Sequence, residues 1–438
     1  MTTAAPSGPP HLSPAPAAQR WRPAHLVLAP YRLGFAAAMA TLMLASLWWL
    51  AVQCAALAPV RTWHAALPTA LAPTLAHAAV MVLGFFPLFF TGFIFTAVPR
   101  WLHVTRLTPH RLVRPVLAQL LGWLAWLAGA LWSPTLALTG AACAAWGLGW
   151  VAWLLLRLVR KSHDDDRVHP RCIAAALAWG SACLAALALA LALQQMAAAR
   201  AAVLAGLWGC VAVVFVVAAH RLIAYFSADV LPRLARWGHF PILWVMLAAL
   251  LGQAGFELLQ LLQPTGMAWQ WLLGTLACVQ ALVAAVLLRQ AIGWWRLRRP
   301  RNRLMRLFFT GFVWLGLALS LQAFAHGWQL VRGGQPPWSG AALHALTMGC
   351  LATLMLAMVT RVSCGHSGRA RLADAVVWPL FVLLQLATLA RLAAGVSPPA
   401  AAPWLLAGAA ALWALAMTAW GLRLGHWYGC PRPDGKPG

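Results

Sequence analysis

Acidic residues are almost missing from this chain of 438 residues, which sets 7 Asp and Glu against 32 Lys and Arg. Charged residues of every kind make up 9% of it, against about a quarter in an ordinary soluble domain. So few charges cannot coat a water-exposed globule, and a soluble fold is excluded. The shortage of carboxylates also argues against a proton or sodium pump built on intramembrane acids. Glu257 is the only Glu, and the one clear acid inside an apolar run. No two of the nine cysteines stand as Cys-x-x-Cys, so neither an iron-sulfur cluster nor a zinc ribbon is indicated. Repeats are missing as well: no short period is visible and the two halves do not match, which leaves inverted-repeat transporter symmetry unsupported.

What the chain has is apolar length. Hydrophobic residues are 63% of it, and a helix rising 1.5 Å per residue needs about 20 of them to cross hydrocarbon. Continuous runs predict helices over 33–57, 69–98, 113–131, 136–156, 172–193, 201–226, 240–262, 269–288, 307–331, 340–362, 375–394 and 403–424. The expected fold is therefore all-α, a polytopic membrane bundle of about twelve transmembrane helices. Basic residues orient it, because Lys and Arg are retained on the cytoplasmic side. The two tails and the even-numbered connectors hold 28 of the 32, and the opposite side only Arg61, Arg200, Arg332 and Arg391. Both termini are thus expected in the cytoplasm, and the net charge of +25 reads as an orientation signal rather than a surface for nucleic acid. Residues 1–32 read as a Pro- and Ala-rich disordered tail without the apolar core of a signal peptide. Residues 33–427 form the membrane domain, and 428–438 a short C-terminal tail. Asp164, Asp165 and Asp166 read as a solvated loop, and most of the 27 Trp as interface anchors or packing.

Polar side chains at membrane depth are few enough to weigh singly. Glu257 has Gln253 and Gln260 beside it on its own helix, as hydrogen-bond partners. Neutral imidazole is the ionisable group best suited to haem iron or copper in an apolar setting. His77 and His344 fall in the outer halves of the second and tenth helices, and His326 near the outer end of the ninth. Met81 follows His77 by four residues and Met348 follows His344 by four, which sets imidazole and thioether on one helical face. Core packing is the competing use of those methionines. Toward the inner side, Arg221 follows His220 at the end of the sixth helix, and Arg361 begins a run through His366 to Arg369. Guanidinium groups there either snorkel to headgroups or fork onto an anionic ligand such as haem propionates.

These runs resemble the NnrS family over most of the chain. The first is His77-Ala-Ala-Val-Met81, followed by Gly84-Phe-Phe-Pro-Leu-Phe-Phe-Thr-Gly92-Phe-Ile-Phe-Thr96-Ala-Val-Pro99-Arg-Trp101. The second is Arg221-Leu-Ile-Ala-Tyr-Phe-Ser227. The third is His344-Ala-Leu-Thr347-Met-Gly349, leading through Met358-Val-Thr360-Arg361 to Gly365-His366-Ser-Gly368-Arg369. The resemblance implies a twelve-helix protein of the bacterial inner membrane that carries b-type haem and copper and acts in the response to nitric oxide and nitrosative stress. His77 and His344 are the leading ligand candidates, with His326, Met81 and Met348 as further metal candidates and Arg221, Arg361, His366 and Arg369 on the cofactor. Many family members carry His-x-His-Glu-Met in the second helix. Here Ala79 and Val80 replace the second His and the Glu, so a ligand set using either cannot operate. Ala224 stands for a Pro, and Ser227 and Ser367 for Thr, which keeps the hydroxyls.

The expected partners are the lipid bilayer and nitric oxide or a related small ligand, with no nucleic acid; the motifs name no electron donor. They name no reaction either, and the tyrosine partner and histidine run of a terminal oxidase are absent. The competing reading is a secondary transporter for an anionic or metal-related small molecule, gated on the inner side by Arg221 and Arg361. A third is an assembly partner of a respiratory complex.

Overall fold

Hydrocarbon offers a peptide group no hydrogen bonds, so a spanning segment must satisfy its own backbone. The computed structural model describes residues 20–57, 69–227, 240–262, 264–297, 303–334, 336–369 and 374–432, and among them there are helices and connectors but no strand. The first nineteen residues of the expected tail, Arg61 and Trp63 lie outside the described residues. Among the described residues, twelve helices are long and apolar enough to cross: α1 (Pro30–Leu57), α2 (Pro73–Trp101), α3 (His110–Trp132), α4 (Pro134–Lys161), α5 (Val168–Ala192) and α6 (Met196–Leu222). The series continues as α7 (Pro241–Leu262), α8 (Met267–Gly293), α9 (Arg303–Arg332), α10 (Gly340–His366), α11 (Val377–Ala394) and α12 (Ala402–Gly429). The protein is an all-helical, multi-pass membrane protein.

The first and last described segments meet on one face, here called the termini face. Arg22 N–H bonds to the Gly429 carbonyl at 2.9 Å, and a short 3-10 turn, Pro23–Leu28, precedes α1. Arg32, only 1% exposed, donates to the carbonyls of Tyr428 and Cys430 at 3.1 and 2.8 Å. These contacts draw residues at both edges of the expected tails into the bundle. Their partners lie some four hundred positions apart, which no local pattern reveals.

Small residues bring neighbouring helices close, as packing between apolar helices in lipid requires. A Cβ at Gly122 of α3 would stand 2.6 Å from the Gly140 carbonyl oxygen of α4, and one at Gly140 would stand 2.5 Å from the Gly122 carbonyl oxygen. Large apolar side chains such as Leu121, Trp132 and Leu189 remain exposed around the periphery, where lipid rather than water is the solvent.

Three helices form the interior. The apolar windows of α2, α6 and α10 are 89%, 94% and 78% buried within the protein, while α8 and α11 are at 33% and 39%. Each of the three contains a π-helical segment: Val80–Gly84, Leu207–Val211 and Ala345–Ala352. These helices recur at intervals of four along the chain, a three-part order that the sequence did not display. Phe215 of α6 meets Phe86 and Phe90 of α2 edge-on at 5.3 and 5.2 Å. In α10 the glycine of the widened turn has a visible use. A Cβ at Gly349 would lie 2.5 Å from the Trp314 indole of α9, and that indole donates to Gln385 of α11 at 2.7 Å. Gln385 in turn donates to Thr353 of α10 at 2.9 Å.

Candidate functional site: a histidine pair between the second and tenth helices

His77 and His344 each stand just ahead of a π segment, and both lie toward the face opposite the termini. A π turn takes one more residue per hydrogen-bonded ring than an α turn, so it resets the direction of side chains on its two sides; such segments gather at functional sites. The two imidazoles interact electrostatically with one another. His344 Nδ1 donates to the Gly340 carbonyl at 2.7 Å, one turn back on α10. That bond fixes the tautomer and leaves Nε2 with its lone pair, the usual arrangement of a metal-ligating histidine. Across from it, the His77 ring stacks on Trp49 of α1 with centroids 3.8 Å apart and planes 21° from parallel. His77 Nδ1 is buried with no hydrogen-bond partner among the described residues. A buried polar atom left unpaired is costly and calls for an explanation.

Met81 and Met348 are half-buried and pack against the main hydrophobic core. Among the described residues no three His, Cys, Asp or Glu side chains come together as a metal cluster. The pair offers two nitrogen donors, one from each helix. Arg391 of α11 completes its surroundings, with a guanidinium that acts electrostatically on both imidazoles. The sequence marked Arg391 only as one of four basic residues on the sparse side.

The other predicted residues fall in separate places. His326 of α9 belongs to a polar network joining α7, α8 and α9. Its Nε2 donates to Gln253 Oε1 at 2.8 Å, Gln280 Nε2 donates to the same oxygen at 2.8 Å, and Gln253 Nε2 donates to Glu257 at 2.8 Å. The expected pairing of Glu257 with its own helix is therefore present, as one arm of a larger cluster. His326 Nδ1 is buried without a partner among the described residues.

On the termini face, Arg221 donates to Asp166 at 2.8 Å, lies 5.0 Å from the Trp101 ring centre, and approaches His169 Nδ1 at 3.4 Å. His169 and His220 share a hydrogen bond of 3.0 Å. Asp166, read as part of a solvated loop, is thus the counter-ion of a predicted site residue. Nearby, the Tyr31 ring stacks on His366 at 5.2 Å, and Arg369 lies over Trp427 at 4.5 Å. One nitrogen of Arg369, Nη1, is buried and unpaired, and burial lowers the pKa of its guanidinium. Arg361 is half-buried at the same end of α10. The two predicted groups therefore occupy opposite faces: His77 and His344 on one, and Arg221, Arg361, His366 and Arg369 on the other.

The family model for the NnrS protein matches residues 25–432, from the turn before α1 to the last described residue. The chain belongs to the NnrS family. No curated protein sequence matches it. Membership covers both faces, so the NnrS assignment embraces the histidine pair and the arginine-rich end of the bundle alike. Within this NnrS protein the histidine pair is where unpaired nitrogen donors, π segments and a nearby cation coincide.

Proposed function

We propose that this protein binds haem through His77 and His344 and acts, as a haem- and copper-containing protein of the bacterial inner membrane, in the response to nitric oxide. The observation that carries the haem assignment is the pairing of two imidazoles from α2 and α10 with the His344 Nδ1 proton already committed to Gly340. His77 and His344 would hold the haem iron through imidazole nitrogens, and the buried His77 nitrogen without a hydrogen-bond partner supports that reading. Copper draws its support from family membership, since the described residues gather no three-ligand cluster.

Bound at this pair, haem supplies an iron that changes oxidation state by one electron. The chain's own contribution is to hold the donors and exclude water. Trp49 fixes the plane of His77, Gly340 fixes that of His344, and the apolar interior around α2, α6 and α10 keeps the local dielectric low. The basic residues of the termini face support an orientation with both termini in the cytoplasm, and the histidine pair would then stand near the periplasmic side.

The test is an absorption spectrum of detergent-purified protein, oxidised and reduced, with metal analysis of the same sample. A Soret band that is lost or shifted in both His77→Ala and His344→Ala is expected. Protein without a Soret band and without copper would overturn the reading. A Soret band unchanged in both variants would remove these ligands while leaving the family function in place.

A further inference from the structure

On the face opposite the termini the chain has almost no negative charge to offer. Of its seven acids, Asp164, Asp165, Asp166 and Asp374 belong to termini-face loops, and Asp229 and Asp434 lie outside the described residues. Glu257 is left, and the cation acting on it is Arg200. Arg332, another basic residue of this face, lies against the Trp328 ring at 5.7 Å.

Arg391 has no such partner. Among the described residues it forms no ion pair, and its half-buried guanidinium is directed at the start of α10, where a Cβ on Gly340 would stand 3.1 Å from Nη2. Gly340 is the residue whose carbonyl holds His344. An imidazole carries no negative charge to pair with a guanidinium, and withdrawing a guanidinium from water costs energy that an opposite charge must offset. Among the described residues, none beside Arg391 supplies that charge. The forked guanidinium is shaped for two oxygens of one anion.

We infer that Arg391 is an oxyanion-binding residue of the His77–His344 site, taking a carboxylate or small oxyanion that reaches the pair from the face opposite the termini. Gly340 is the positioning residue that makes room for the guanidinium. The oxyanion has two sources of the same chemistry: a carboxylate carried by a cofactor seated on the histidines, or a free anion such as nitrite. This rests on the histidine pair of the proposed function and adds to it the charge of what binds there.

The test uses full-length protein in detergent micelles, as wild type, Arg391→Ala, Arg391→Lys and Gly340→Ala. In the first arm, protein is reconstituted with haem or with haem dimethyl ester, whose carboxylates are capped, and loading is read from the Soret absorbance. In the second, sodium nitrite is titrated while tryptophan emission is followed, with Trp49 beside the site. If the anion comes from the cofactor, wild type prefers haem over its diester by about tenfold or more, equivalent to about 1.4 kcal/mol. Arg391→Ala and Gly340→Ala then lose the preference, and Arg391→Lys keeps part of it. If the anion is free, nitrite saturates wild type and binds Arg391→Ala at least about tenfold more weakly. Arg391→Ala that matches wild type in both arms overturns the inference. Wild type that takes up neither haem nor its diester removes the haem reading, and the nitrite arm alone then decides for or against Arg391.

Discussion

Replacing Gln253 by Leu keeps most of the side-chain volume and removes the amide that joins α7, α8 and α9. Its oxygen receives His326 Nε2 and Gln280 Nε2, and its nitrogen serves Glu257, each at 2.8 Å. Hydrogen bonds between helices in a membrane contribute about 0.6 kcal/mol on average and about 1.7 at most, so the two that cross helices account for about 1 to 3 kcal/mol. The half-buried Glu257 carboxylate also loses one of its two amide donors, at a further cost of about 1 to 3 kcal/mol. Gln253→Leu should therefore destabilise the protein by about 2 to 6 kcal/mol, and Gln280→Leu, which removes one crossing bond, by about 1 kcal/mol. Equilibrium unfolding in mixed micelles with increasing dodecyl sulfate measures both. A double-mutant cycle of Gln253→Leu with His326→Leu should give a coupling above about 0.5 kcal/mol. Gln253→Leu within about 0.5 kcal/mol of wild type, or a cycle that closes to zero, would refute the claim that this amide orients His326.

The remaining expectations concern other parts of the bundle. Asp374 accepts two hydrogen bonds from Arg423 and two from the backbone of Val376 and Val377, and the arginine contacts hold its carboxyl down at about 2. A depressed carboxyl stabilises the fold above its unfolded value near 3.9 and ceases to do so as pH falls through about 2. The Asp374 side chain is 43% exposed, so Asp374→Asn should cost less than about 1 kcal/mol at pH 7 and progressively less as pH falls through about 2, as followed by thermal melting across pH. Gly122→Ala puts a methyl against the α4 backbone, which cannot yield as a flexible side chain can; a loss of about 1 to 3 kcal/mol is expected in the same unfolding assay, and neutrality would show that α3 and α4 separate freely. Trp49→Leu leaves both imidazoles in place but frees the His77 ring, so the Soret band should persist and broaden; a spectrum identical to wild type would mean the stacking does not set the ring plane.

The helices were legible because lipid imposes a length and a compositional rule on any segment that crosses it, and the arginines recorded the parity of the crossings. His77 and His344 were legible for a related reason, since few ionisable groups stand at that depth. The π segments were hidden by the same apolarity that marked the helices. Along Val80–Gly84 and Leu207–Val211 hydrophobic residues and glycine line every side, so no change of period can be seen. Arg391 was hidden because it was weighed as one charge on a sparse side. Comparing that side's arginines with its single carboxylate, Glu257, is the signal that would have found it. The Arg221–Asp166 pair, the Arg423–Asp374 pair and the seat of Arg32 join residues far apart in the chain, and only the folded bundle decides which of a basic loop's many arginines meets an acid.

A π segment also bears on how this bundle can change over generations. An α-helix turns about 100° per residue, so losing one residue from Ala345–Ala352 would leave α10 long enough to cross while rotating everything before it, His344 included, by roughly a quarter turn relative to everything after it. A single-codon deletion there behaves as a change of aim rather than a loss of helix. The termini-facing half of α10, with Arg361 and His366, can keep its place against α1 and α12 while the histidine half points elsewhere. Interior helices built this way let the two ends of one transmembrane segment be tuned as separate parts, so variation in the runs near His77 and His344 need not disturb the arginine-rich face.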